Sequence, residues 1–207
     1  MKDKLFHFSE ISDFENYFRN LGYYIIAGID EAGRGALAGP VFAAAVILPS
    51  DFKSSEIKDS KILPSKKREE LFEYICQVAV DYAISSIEVK EINQKGISQS
   101  VFKAMLKALN SLKVKPQLVL IDGPWLIPGY QGLQKAIING DKKCISISAA
   151  SILAKVARDR YMKNLDKIYP QYEFSQHKGY ATKSHFEKIK KYGLCPFHRT
   201  YFKCLKK

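Results

Sequence analysis

The sequence predicts an α/β fold built on a mixed sheet, and three observations point to it. Two apolar runs, residues 23–30 and 40–49, flank a glycine-rich turn and read as an antiparallel hairpin; a third strand follows over 81–89. Beyond them, strand-like and helix-like segments alternate, which favours parallel pairing with helices on the sheet faces. Two of the apolar runs also end alike, in Ile29-Asp30 and Ile121-Asp122, each turning away through glycine. Loops at such strand ends are where ligands gather in open α/β sheets.

The elements follow in order. Residues 9–21 carry Phe14, Tyr17, Phe18 and Leu21 at helical spacing. The hairpin strands come next, joined by a long loop. Residues 64–79 form a helix with Pro64 near its start and Leu71, Tyr74 and Ile75 on its apolar face. After the strand at 81–89, Val101, Met105, Leu109 and Leu112 line one side of a helix over 98–112. A fourth strand spans 116–124. The alternation in "KCISISAAS", residues 143–151, reads as a fifth strand that runs into a long helix over 152–169. A last helix covers about 183–192, followed by a basic tail.

A chain of 207 residues suits one compact domain, and 46% hydrophobic residues suffice for its core. The charge is unusual: 33 Lys+Arg against 21 Asp+Glu leave +12. Such an excess points to a polyanion, either nucleic acid or an anionic membrane surface. No helix sets a lysine-rich face against a strongly apolar one, which disfavours the membrane. No stretch approaches the roughly 18 apolar residues of a membrane span. Acids interrupt the N-terminal "MKDKLFHFSEISDF", so no signal peptide is expected. Cys76, Cys144, Cys195 and Cys204 lack paired spacing and suggest reduced thiols in a cytoplasmic protein. Cys195, His198 and Cys204 lie near one another, but in no standard zinc pattern.

Asp30, Glu31 and Asp122 are the candidate functional acids. If their strands are neighbours, the carboxylates crowd one region, and either a proton or a bound cation must relieve them. An all-oxygen set suits Mg²⁺ or Mn²⁺ rather than zinc. On the long helix, Ser148, Ser151, Lys155 and Asp159 share a polar stripe. Asp159 either joins the acids or pairs with Arg158, Arg160 or Lys163; spacing alone leaves both open. Two divalent ions held about 3.5–4 Å apart by carboxylates serve in-line displacement at phosphorus. The net positive charge would then hold a phosphodiester backbone. In the turn that follows Asp30-Glu31, Gly33 and Gly35 allow close backbone approach to a substrate, and Arg34 can fork onto a phosphate.

Several blocks in sequence carry a family resemblance. "GIDEAGRGALAGPVFAAAVIL", "DSKIL" with "KKREEL", "LIDG", "SISAASILAKVARDRYM", "HKGYATKSH" and "CPFHRTYF" together resemble ribonuclease HII, over about residues 24–202. The resemblance implies an RNase H-like fold with a central mixed five-stranded sheet and a helical C-terminal region. It implies a single domain over 1–207, with a catalytic core over about 23–168 and a substrate-contacting region over about 169–207. It also implies a metal-dependent endonuclease acting on the RNA strand of RNA/DNA hybrids and at single ribonucleotides in duplex DNA. The products would be 3′-hydroxyl and 5′-phosphate ends. Mn²⁺ or Mg²⁺, two ions during catalysis, would be held by Asp30, Glu31, Asp122 and Asp159. Gly33, Arg34, Gly35 and Tyr180 would sense the junction, Tyr180 by stacking on the deoxyribose beyond the ribonucleotide. Lys61, Lys155 and Lys178 are candidate phosphate contacts, His177 and His185 candidate proton carriers or structural groups, and the molecule is expected to act as a monomer. One departure stands out: Glu173 occupies a position where glycine is expected. Ribonuclease HIII, a related family, typically has threonine in place of Arg34 and an extra N-terminal domain.

Overall fold

The computed structural model describes residues 13–57 and 63–205. Its centre is one five-stranded sheet in the order β3-β2-β1-β4-β5. The strands are β1 (Ile26–Ala32), β2 (Val41–Ile47), β3 (Asp81–Ile87), β4 (Leu118–Asp122) and β5 (Gln134–Ile137). β1, β2 and β3 pair antiparallel, whereas β4 pairs parallel with both β1 and β5. The helices are α1 (Asp13–Asn20), α2 (Ser65–Val78), α3 (Val89–Lys95), α4 (Ile97–Ser111), α5 (Ile145–Ile168), α6 (Phe174–His177) and α7 (Lys183–Tyr192). Among the described residues, no helix is long and apolar enough to cross a membrane.

Strand periodicity explains the layering. In β2, Ala43 and Ala45 face one side and pack with Val101, Ala104 and Met105 of α4. Ala44 and Val46 face the other and pack with Ile145, Ala149 and Leu153 of α5 and Leu71 and Ile75 of α2. A strand covered on both faces reads as a continuous apolar run, as this one does. Helix α5 comes closest at Gly28: a Cβ there would stand 2.2 Å from the carbonyl carbon of Ser146. Any side chain at residue 28 would push α5 off the sheet.

The start of α5 corrects one expectation. Residues 145–151 are helical, and the fifth strand is Gln134–Ile137 instead. Ile145/Ser146/Ile147/Ser148 imitates a two-residue period, but all four residues are buried, so the alternation does not mark an exposed face. The serines are accommodated by polar partners. Ser146 donates both its N–H (2.8 Å) and its hydroxyl (2.7 Å) to Glu15, a buried acid of α1 that caps this first turn. The true β5 is a short edge strand of mixed character, which pattern alone does not reveal. Helices α3 and α6 were likewise unexpected.

Beyond α5 the chain folds back. Tyr172 and Phe174 pack on Met162 and Leu165 of α5 and on Ala38 of the β1–β2 loop. The loop after Glu31 is therefore part of a second small core.

Candidate active site

Parallel pairing aligns Ile29 of β1 with Ile121 of β4. Asp30 and Asp122, each one residue further on, are therefore side by side. Asp30 is only 6% exposed. Its Oδ1 accepts the Glu31 N–H at 2.7 Å, and Ser151 of α5 bonds its side chain. Burial, then the negative charges of Glu31 and Asp122, push the Asp30 carboxyl well above the usual range. Burial also raises Glu31; Arg34 opposes that shift and Asp122 adds to it. The Glu31–Arg34 contact is 3.5 Å. Asp122 Oδ1 accepts the Gly140 N–H at 2.7 Å.

These three acids form one electrostatic cluster, as the strand ends suggested. Asp159 does not join them. Ser151 reaches Asp30, and Asp159 lies eight residues on, about 12 Å along the helix axis at 1.5 Å per residue. It pairs instead with Arg68 of α2 at 3.6 Å. A different acid stands near the cluster. Asp141 is 1% exposed, in the short 3₁₀ turn Gly140–Lys142 whose first N–H bonds Asp122. Only the pairing of β5 beside β4 brings that turn to the site, so spacing along the chain does not single it out. Among the described residues, no three His, Cys, Asp or Glu side chains close on a ready-made coordination point. The donor chemistry nevertheless fits a hard divalent cation: all-oxygen, crowded, and held in protonation-prone carboxyls that such an ion would relieve.

The glycine turn is shaped from beneath by two buried arginines. Gly33 has φ +89°, and a Cβ there would meet Arg158 Nε at 2.0 Å. Gly35, in contrast, faces open space. Arg158 donates to the carbonyls of Pro40 (3.1 Å), Ala38 (3.1 Å) and Lys178 (2.9 Å). Arg199, fully buried, donates to those of Gly39 (2.8 Å), Gly33 (2.7 Å), Arg34 (3.1 Å) and Pro40 (3.0 Å). Burial and the neighbouring Arg158 push Arg199 down to about 9, still protonated at neutral pH. Nothing in the sequence distinguishes these two arginines from surface ones.

Tyr180 belongs to the same place. Gly179 O accepts the N–H groups of Leu37 (2.7 Å) and Ala38 (3.2 Å), docking the "HKGY" turn onto the glycine loop. Tyr180 is 41% exposed, with the Arg158 guanidinium 5.2 Å from its ring centre. Lys178 is half-buried and turned back to the Ser175 carbonyl, away from the role of a free phosphate contact. Lys155 lies one turn beyond Ser151 on α5; Lys61 falls outside the described residues.

Three histidines brace Tyr180 from behind. His177 Nδ1 accepts the Gly179 N–H (3.1 Å), so its Nε2–H donates to Tyr172 O (2.8 Å). His198 Nδ1 accepts the Cys195 N–H (2.9 Å), so its Nε2–H donates to His185 Nε2 (3.2 Å). His185 Nδ1–H then donates to Tyr180 O (2.9 Å). Every ring nitrogen is engaged, which suits struts rather than proton carriers. Burial pushes both His185 and His198 down to about 4. Their folded values lie below the ordinary 6.5, so this stabilisation is complete above about pH 6.5 and is lost as pH falls toward 4. His185→Leu should lower the melting temperature at pH 7 by roughly 3–10 °C, from 1–3 kcal/mol of stranded polar groups. The gap from wild type should shrink steadily between pH 7 and 5; a constant gap would contradict the neutral chain.

A sheet of this order, with acids where two parallel strands adjoin, is the RNase H fold, and the class it defines here is that of nucleic-acid hydrolases. The family profile described as Ribonuclease HII matches residues 27–205. Ribonuclease HII of Endomicrobium trichonymphae is 51% identical over 195 residues, covering 94% of this chain and 93% of that protein. The crystal structure of ribonuclease H2 from Pyrococcus horikoshii OT3 superposes with a TM-score of 0.74 at 30% identity, over 87% of this chain and 94% of that one. Bst-RNase HIII in complex with Mn²⁺ shares the fold, with a TM-score of 0.68 at 15% identity over 99% of this chain and 74% of that one. The chain belongs to the ribonuclease HII family and is an endoribonuclease.

Proposed function

We propose that this enzyme hydrolyses the RNA strand of RNA/DNA hybrids and incises duplex DNA at single embedded ribonucleotides, leaving 3′-hydroxyl and 5′-phosphate ends. The observation that carries this reading is the docking of Gly179 on the β1–β2 loop, since it joins Tyr180, the glycine turn and the Asp30–Glu31 acids into one surface. The 2′-hydroxyl is what distinguishes a ribonucleotide. The open space at Gly35 lets the turn's backbone approach that hydroxyl. Arg34, half-exposed at the rim, takes the adjoining phosphate. Tyr180 packs its ring on the next deoxyribose. On this reading the region over about 169–207 contacts the substrate, within a single domain that acts as a monomer.

Asp30, Glu31 and Asp122 would hold Mn²⁺ or Mg²⁺, with Asp141 replacing Asp159 as the candidate fourth acid. When bound, such ions would activate water for in-line attack and stabilise the departing 3′ oxygen. The test is cleavage of a duplex carrying one ribonucleotide, with and without EDTA, mapping the cut to the nucleotide. A chelator-sensitive cut on the 5′ side of the ribonucleotide is expected, which leaves it at the 5′ end of its fragment if Tyr180 reads the following deoxyribose. Binding without any cleavage product would remove the hydrolytic reading. Tyr180→Ala should reduce cleavage at a lone ribonucleotide by roughly tenfold, near the lower end of one aromatic stacking contact. Unchanged cleavage on that substrate would take Tyr180 out of the site.

A further inference from the structure

The loop after Asp122 displays the chain's one tryptophan. Trp125 is 62% exposed and lines a cleft of about 230 Å³ with Glu31, Arg34, Asp122 and Phe102. Its backbone is held at both ends. Gly123, at φ +99°, donates its N–H to Ile137 O at 3.0 Å. Ile127, buried in the core, exchanges two bonds with the Gln134 amide, at 2.8 and 3.1 Å. Only a short, proline-stiffened span lies between, so the indole stands in solvent on a fixed base. A large aromatic left uncovered is common enough singly. This one shares a cleft with two acids of the catalytic cluster and with the arginine of the glycine turn.

Resting on the nuclease reading above, we propose that Trp125 is a substrate-contact residue. Its indole packs on a sugar face of the nucleic-acid strand next to the nucleotide held at Asp30 and Asp122. The bases of a duplex are already covered by their neighbours, whereas sugar faces along the groove remain open to an aromatic ring. Such a contact is indifferent to sequence and adds to the one assigned to Tyr180. It would fix the strand's position along the cleft without touching the reacting atoms.

Two measurements test this on the full-length protein with a duplex bearing one ribonucleotide. Because there is one tryptophan, its emission reports this site alone. Adding the duplex to saturation should quench or shift that emission. In steady-state cleavage, Trp125→Ala should raise KM roughly tenfold, within the range of one aromatic–nucleotide contact, and leave kcat within about twofold, as for uniform binding. Trp125→Phe, which keeps a ring, should recover most of the loss. Normal KM in Trp125→Ala, unchanged wild-type emission, or a KM rise that Phe does not repair would each overturn the proposal while leaving the nuclease reading intact. A wild-type protein that cuts no ribonucleotide-containing duplex would remove both.

Discussion

Asp30→Asn is expected to abolish cleavage and, at the same time, make the metal-free protein more stable. Groups that merely support metal ligands are worth 10–100-fold, so losing a ligand itself should cost more than about 100-fold. Stability should move the other way. Asp30 is almost wholly buried beside Glu31 and Asp122, and all three circumstances penalise its charge. Asparagine keeps an acceptor for the Glu31 N–H and a partner for Ser151, but carries no charge. Each 1 kcal/mol of relief corresponds to about 2–4 °C in a chain of this size. Because the folded value of Asp30 is raised, its destabilising effect is present at neutral pH and vanishes as pH falls below the ordinary carboxylate value. The gain in melting temperature should therefore be measured in EDTA at pH 7 and should fade in acid. Adding Mn²⁺ should raise the melting temperature of the wild type and leave the variant nearly unmoved. A variant that cuts normally would refute the metal assignment; a lower melting temperature would mean that the carboxylate is structural.

Arg199→Met should destabilise the protein by about 2–4 kcal/mol, or roughly 4–16 °C. The methionine fills similar volume but removes the donor that joins the carbonyls of Gly33, Arg34, Gly39 and Pro40. Pro40 O keeps Arg158 and Gly33 O keeps the Ala36 N–H, so those of Gly39 and Arg34 are the ones stranded. Each stranded buried acceptor costs about 1–3 kcal/mol, with relaxation recovering part. Cleavage at temperatures well below the new midpoint should also drop, by roughly tenfold or more, because displacement of a binding loop by 1 Å can cost as much as a hundredfold. Arg199→Lys should fall between, since an ammonium reaches fewer of the four oxygens. A methionine variant that melts within a degree of wild type would show that the loop holds its own shape.

The legible and illegible parts of the molecule separate by physical cause. The hairpin and the strand carrying Asp122 declare themselves through apolar runs ended by acids, and the sheet brings those ends together. Asp159 misleads because residues on one helix face share an angular position but not an axial one. Asp141 and β5 stay hidden because their placement depends on pairing at a sheet edge. Arg158 and Arg199 look like part of a basic surface until their burial is known. Glu173, the residue found where glycine was expected, adopts φ +56°, so glycine would suit its backbone. Its carboxylate binds Lys188 at 2.6 Å, which ties this turn to α7.

The bonds from Arg199 to the glycine loop join residues 159–166 positions apart. During synthesis, the carboxylates and the loop leave the ribosome long before the guanidinium that completes them. A nascent or proteolytically clipped chain lacking that arginine would keep its acids but not the donor that joins the carbonyls of Gly33, Arg34, Gly39 and Pro40. The loop's final shape is therefore set only once the chain is nearly finished.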